Sequence, residues 1–226
     1  MPYILHIEST STVCSVAVSK NTELIGIKEH NNGYSHAENL HLFIKELLKE
    51  KKINFKDLSA ISISSGPGSY TGLRIGFSTA KGLAYALKIP LIKVNTLKAL
   101  TESVIHQTAS NALFCPMIDA RRMEVYCSLF DSHLNTLIPI QALILNEETI
   151  KIFDKEKAIC FFGDGMFKAK KLLTNNSNYF FIDNVLPSAT SMIKLAFEQF
   201  KANDFVDVAY VEPYYLKEFF FTSSKK

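Results

Sequence analysis

The sequence predicts an α/β fold in two lobes, and three observations predict it. Short runs alternate apolar and polar residues with β-branched side chains, as half-buried strands do. Stretches of helical periodicity are interleaved with them. A tight corner, Ser65-Gly66-Pro67-Gly68-Ser69, turns one such strand into a helix. With 226 residues, 47% of them hydrophobic, the chain is long enough to bury a real core.

The chain opens with three strands, Tyr3 to Ser9, Val13 to Ser19 and Glu23 to His30, joined by the polar turns Ser9-Thr10-Ser11-Thr12 and Lys20-Asn21-Thr22. A helix over Ser35 to Lys49 follows, with Leu40, Phe43, Ile44, Leu47 and Leu48 on one face. Then come a strand over Leu58 to Ser64, the glycine corner, and a helix running to Leu87. A short strand, Leu91 to Val94, is introduced by Pro90 and leads into a helix from Thr96 to about Ile105. Three strands, then helix, strand, helix, strand, helix is the βββαβαβα half of the actin-like ATPase fold. Later residues repeat the theme: a hairpin of Phe114 to Asp119 with Met123 to Phe130, an extended stretch from Leu137 to Leu145, and a strand from Ala158 to Phe162. Gly163-Asp164-Gly165 opens a helix through Leu173, and a last helix covers Ser188 to Ala202. The expected lobes are 1–106 and 107–226, the second reduced, with the last helix free to return to the first.

In the corner, Pro67 cannot continue a ladder and Gly66 and Gly68 can take positive φ. Ser69 or Thr71 is placed to cap the first turn of the helix. Such a corner also suits a phosphate, which makes Ser65, Gly66, Gly68 and Ser69 candidate nucleotide contacts beside the purely structural reading. The spacing fits neither a Walker loop, since no Lys follows, nor the dinucleotide fingerprint, since three residues separate Gly68 from Gly72. Along the helix itself, Gly72, Gly76, Ala80 and Ala84 recur every four residues and form one smooth stripe. Glycine inside a helix costs about 1 kcal/mol relative to alanine, so the stripe calls for close approach by another element or chain.

A net charge of +3 and a pI near 8.5 permit contact with RNA without arguing for it. No basic leader precedes a long apolar run, and the four cysteines stand singly in strand-like runs with no CxxC pair. They read as small buried hydrophobes of a reduced, cytoplasmic protein. His36 and His41 lie five apart, roughly 140° around a helix, so they do not form a metal pair. No GxSxG elbow surrounds Ser64, Ser65 or Ser69.

The strand Ile4-Leu5-His6-Ile7-Glu8, the SGPGSYTGLRIG corner, the IDARRMEVY segment from Ile118 to Tyr126 and the ending VEPYYLK resemble the TsaB (YeaZ) family over almost the whole chain. That resemblance implies two actin-like (ASKHA, RNase H-like) lobes and a non-catalytic role in tRNA threonylcarbamoyladenosine synthesis. It implies pairing with TsaD, the subunit that transfers the threonylcarbamoyl group, and work alongside the ATPase TsaE, with tRNA reached through the complex. It also implies no cofactor of the chain's own, ATP being used by the complex; without the partner, the small-residue face is expected to pair with itself and give a homodimer. The implied partner-binding bundle is built from the two N-lobe helices. Its residues are His36, Leu40, Phe43, Leu47, Tyr70, Gly72, Leu73, Gly76, Phe77, Ala80 and Ala84.

Actin-like ATPases end their first strand in an Asp that organises metal and phosphate, whereas this chain has Glu8, with no glycine in the turn after it. That departure counts against hydrolysis by the chain itself. A self-sufficient nucleotide-dependent enzyme built on Glu8 and the corner is the alternative, and a direct tRNA binder is a third reading. Asp119, Arg121, Arg122 and Glu124 form the densest charge cluster of the second half. They are either a solvated turn or a contact for an anionic partner. The aromatic run from Tyr214 to Phe221 either packs back on the domain or docks on another protein.

Overall fold

This computed structural model describes residues 1–31, 36–108 and 111–216, and of 36–38 the backbone alone. β1 (Tyr3–Glu8), β2 (Cys14–Lys20) and β3 (Glu23–His30) form an antiparallel meander. β4 (Leu58–Ser64) and β5 (Leu91–Val94) add in parallel on the far side of β1, giving the order β3-β2-β1-β4-β5. α1 (His36–Glu50) follows β3, α2 (Tyr70–Leu87) joins β4 to β5, and α3 (Thr96–Glu102) leaves β5.

The second sheet is built from β6 (Leu113–Asp119), β7 (Glu124–Phe130), β8 (Thr136–Ile144), β9 (Ile159–Phe162) and β10 (Tyr179–Ile182), in the order β10-β9-β6-β7-β8. β6, β7 and β8 form an antiparallel meander and β9 and β10 add in parallel, so the first sheet's order is repeated. α4 (Met166–Leu173) occupies the place that α2 holds in the first sheet, and α5 (Ile193–Lys201) closes the helices. This is the two-sheet actin-like architecture expected from the sequence. β10 is the element that sequence reading missed. Its four residues, Tyr-Phe-Phe-Ile, are too few and too uniformly apolar to show a period of two.

The central strands of the first sheet are buried on both faces because helices cover both. One face, including Leu5, Ile7, Val16, Val18, Ile61 and Ile63, packs on Leu40, Ile44 and Leu47 of α1 and Leu73 and Phe77 of α2. The other face, Ile4, Ala60, Ile92 and Val94, meets Ala99 of α3 and Met192 and Ala196 of the C-terminal helix region. α3 turns Leu97 and Leu100 the other way, onto Phe114, Phe130 and Phe162 of the second sheet. It is therefore the shared middle layer. The last helix, expected over Ser188 to Ala202, begins as a 3-10 turn at Ala189–Met192 before α5. The Ser188 hydroxyl donates to Glu29 at 2.7 Å, and α5 packs on β5 of the first sheet.

Cys14, Cys115, Cys127 and Cys160 are all free and buried, and burial raises the pKa of the Cys115 thiol. No described helix is long and apolar enough to cross a membrane.

Candidate functional site

Of the two corner glycines, Gly66 takes a positive φ of 101° and Gly68 does not, and the Ser69 hydroxyl accepts from the Gly72 amide at 3.3 Å to cap α2. What fills the corner is the chain's own β1–β2 turn. A Cβ on Gly72 would lie 1.9 Å from the carbonyl oxygen of Ser9, and one on Gly76 would lie 2.2 Å from Ser9 Oγ and 3.0 Å from Ile63 Cδ1. A Cβ on Gly68 would lie 2.5 Å from the Thr10 carbonyl oxygen. Ala80 and Ala84 are buried in the same core as Leu40, Leu47, Leu73 and Phe77.

The expectation that a partner chain covers the Gly72, Gly76, Ala80 and Ala84 stripe is therefore corrected: the stripe faces inward, notched for residues of the same molecule. Leu40, Leu47, Leu73 and Phe77 are core side chains too. Phe43 and Tyr70 are half-buried, and the side chain of His36 lies outside the described residues. The outward surface consists of other residues. On α2 it carries Ile75, Ser78, Gly82 and Ala86, spaced three and four apart on one face, with Tyr85 81% exposed. A Cβ on Gly82 would meet nothing within 4 Å. α1, packed beside α2, adds Leu42, 53% exposed.

The phosphate reading of Ser65, Gly66, Gly68 and Ser69 is corrected on the same ground. The Ser65 amide donates to Val94 O at 2.8 Å, the Gly66 amide to Thr96 Oγ1 at 2.9 Å, and the Ser69 amide to Thr10 O at 2.7 Å. These three amides are spent inside the chain, and the space over Gly68 is taken by the Thr10 carbonyl. Glu8 is fully buried behind the same turn. Its Oε1 accepts from the amide and hydroxyl of Thr10 at 2.7 and 2.6 Å. The hydroxyl of Ser64, 2.7 Å from Thr96 Oγ1 with either group able to donate, also favours the ionised form, and Oε2 has no hydrogen-bond partner among the described residues by distance and angle. Burial is the largest influence and pushes the carboxyl above the usual range. Because the folded-state pKa is raised, this group's stability contribution is full below the unfolded value of 4.5 and is lost as pH rises through the folded value. Glu8→Gln is accordingly expected to raise the urea midpoint at pH 7 by an amount worth about 1 kcal/mol. That gain should fade towards pH 4.5; a loss at pH 7 would show that the carboxylate is needed ionised.

At the second sheet, Asp119, Arg121, Arg122 and Glu124 do share the β6–β7 turn. Asp119 Oδ1 accepts from the Arg121 amide at 2.6 Å and pairs with Lys168 Nζ, while the Asp119 amide donates to Asp164 Oδ1 at 2.9 Å. The C-terminal segment returns to the glycine corner. The Tyr214 amide donates to Ser65 O at 2.8 Å, and Tyr215 stands 5.0 Å from the Tyr70 ring. Of the aromatic run, Tyr214 to Leu216 pack back on the corner, and Lys217 to Phe221 lie outside the described residues.

The family model described as "TsaD: tRNA N6-adenosine threonylcarbamoyltransferase" matches residues 13–212. The tRNA threonylcarbamoyladenosine biosynthesis protein TsaB of Buchnera aphidicola subsp. Schizaphis graminum is 30% identical over 202 residues, covering 87% of this chain and 93% of that protein. The chain belongs to the TsaB (YeaZ) family, within the group that the TsaD model describes. The TsaB protein of Buchnera aphidicola subsp. Acyrthosiphon pisum is 28% identical over 92% of this chain and 97% of its own length. Among solved structures, YeaZ from Pseudomonas aeruginosa has a TM-score of 0.81 at 24% identity, with 96% of this chain and all of that one covered, so the family fold is shared throughout. An activator of 2-hydroxyisocaproyl-CoA dehydratase from Clostridium difficile, at TM-score 0.51 and 10% identity over 90% of this chain and 96% of its own, shows the wider actin-like fold.

Proposed function

We propose that this TsaB-family chain is a non-catalytic subunit of a tRNA threonylcarbamoyladenosine transferase assembly, working in the cytoplasm. It presents the outer face of α1 and α2 to a TsaD-type transferase subunit and works alongside a TsaE-type ATPase, with tRNA reached through the complex. It needs no cofactor of its own. The observation that carries this reading is the filled corner: at the glycine corner that could have suited a phosphate, Ser9 and Thr10 of the chain itself occupy the glycine notches. The outer face supports it from the other side. Ile75, Ser78, Gly82 and Ala86 with Leu42 make a low, partly apolar surface on rigid elements, suited to close helix packing.

The same face can pair with a second copy when the transferase is missing, so a homodimer of the isolated chain is expected. Gly82→Arg tests the reading without touching the core, because the added side chain points into open space. The variant is expected to keep the wild-type melting temperature and to lose at least tenfold in affinity for the transferase subunit by titration calorimetry. Undiminished affinity would place the interface elsewhere.

A further inference from the structure

The geometry points to a second binding surface: the tyrosine-walled cleft between the glycine corner, Tyr126 of β7 and the C-terminal segment takes a single-stranded stretch of RNA, bases on the rings and phosphates on Arg121 and Arg122 of the adjoining turn. This inference rests on the proposed role in tRNA modification and names where the chain itself would touch the nucleic acid.

The cleft is lined by Pro67, Gly68, Tyr70 and Leu73 of the corner, by Tyr126 of β7, and by Tyr214, Tyr215 and Leu216. Its volume is about 30 Å³, room for about one water and far too little to swallow a base. The rings therefore act as platforms at a rim, which is how proteins hold unpaired nucleotides without reading their sequence. Tyr214 is 47% exposed and Tyr215 39%.

These rings are held before any ligand arrives. Lys81 Nζ donates to the carbonyls of Ala209 and Val211 at 3.2 and 3.1 Å, fixing the C-terminal segment on α2. The Arg74 guanidinium lies 4.7 Å over the Tyr70 ring. A stacked guanidinium is itself a surface on which a base can lie.

The second observation is independent of the cleft. Arg121 and Arg122 have φ of 66° and 49°, two successive left-handed residues where Asn and Gly would carry far less strain. Both are exposed, and no ion pair engages either guanidinium among the described residues. Arg121 stands close enough to the Tyr126 phenol for its charge to oppose the effect of burial there. Two arginines kept on a turn that favours other residues, one of them beside Tyr126 of a cleft that four tyrosines line, match phosphate and base better than an acidic peptide. A peptide's carboxylates would use the arginines and leave the rings idle.

The test uses the full chain and fluorescence anisotropy with a labelled twelve-nucleotide single-stranded RNA, the corresponding duplex and a polyglutamate peptide, between 50 and 200 mM salt. Wild type is expected to prefer the single strand. The double variant Arg121→Asn with Arg122→Gly suits the turn, so it should melt no lower than wild type. Its affinity should nevertheless fall at least tenfold, with the salt slope reduced by about 1.4, or about 0.7 for each phosphate that is no longer neutralised. Tyr214→Ala should lose about tenfold with the slope unchanged. No RNA binding by wild type at 50 mM salt, equal binding by the variants, or preference for the peptide would each overturn the inference. Affinity for the transferase subunit, measured on the same variants, separates the two proposals. Lost RNA binding with transferase binding kept supports this surface. Lost transferase binding with RNA binding kept assigns the cleft to protein and overturns it.

Discussion

Gly72→Ala is expected to destabilise the chain by about 3 kcal/mol or more, whereas Gly82→Ala, ten residues along the same helix, is expected to stabilise it by about 1 kcal/mol. By helix propensity alone the two substitutions are equivalent. They differ in what the new methyl meets. At Gly72 it would stand 1.9 Å from the carbonyl oxygen of Ser9, a backbone atom that cannot rotate away. The 9–12 turn would have to retreat, and it is not free to do so. Ser9 Oγ donates to Gly72 O at 2.9 Å, Thr10 O accepts from the Ser69 amide at 2.7 Å, and the Thr10 amide and hydroxyl hold Glu8 Oε1. Retreat would break these bonds together and leave a buried carboxyl with fewer partners, which is costly. At Gly82 nothing lies within 4 Å, so only the helix gains. For a chain of this size 1 kcal/mol moves the melting temperature by about 2–4 °C. Urea midpoints of the two variants within error of each other would show that the turn is not wedged against α2.

The same pair of glycines marks how far the sequence could be read. The strand order of the first sheet was legible because each strand carries its own period and turn residues, from Tyr3 to Val94. The corner was legible because Gly66 and Pro67 leave few backbone options. The stripe of small residues was legible as a demand for close approach, but its direction was not. Periodicity fixes which residues share a face and says nothing of which neighbour that face meets. Here the neighbour is Ser9, more than sixty residues earlier, and only the three-dimensional register of β1 beside β4 brings it there. The site at the second sheet was half visible. Arg121 and Arg122 stood out as a charge cluster, but the tyrosines of the nearby cleft are brought together from Tyr70, Tyr126, Tyr214 and Tyr215, a long-range assembly no local pattern carries. β10 went unseen because four apolar residues fit a strand or a buried turn equally well.

The polar side chains on the inner face of the first sheet set the remaining large effect, the response of stability to acid. His6 lies on β1 with no exposed surface. Its Nδ1 is 2.6 Å from Ser62 Oγ and its Nε2 2.8 Å from Ser19 Oγ, so one serine hydroxyl donates and the other accepts around a neutral ring. Burial holds the imidazole down to a pKa of about 3, against 6.5 in the unfolded chain. Between those values the unfolded state binds the extra proton. The stability is therefore fully present above pH 6.5 and is lost as pH falls towards 3. At pH 5 the 1.5-unit distance below 6.5 corresponds to a loss of about 2 kcal/mol at about 1.36 kcal/mol per unit. Glu8 acts in the opposite sense, since protonation relieves its burial, and its carboxyl offsets part of the fall. His6→Gln keeps one donor and one acceptor between the two serines and removes the titration. Its urea midpoint should start below wild type at pH 7 and fall much less by pH 5, so the two curves converge or cross. Parallel curves would show that the acid response arises at other groups and that the His6 ring takes up its proton without leaving the fold.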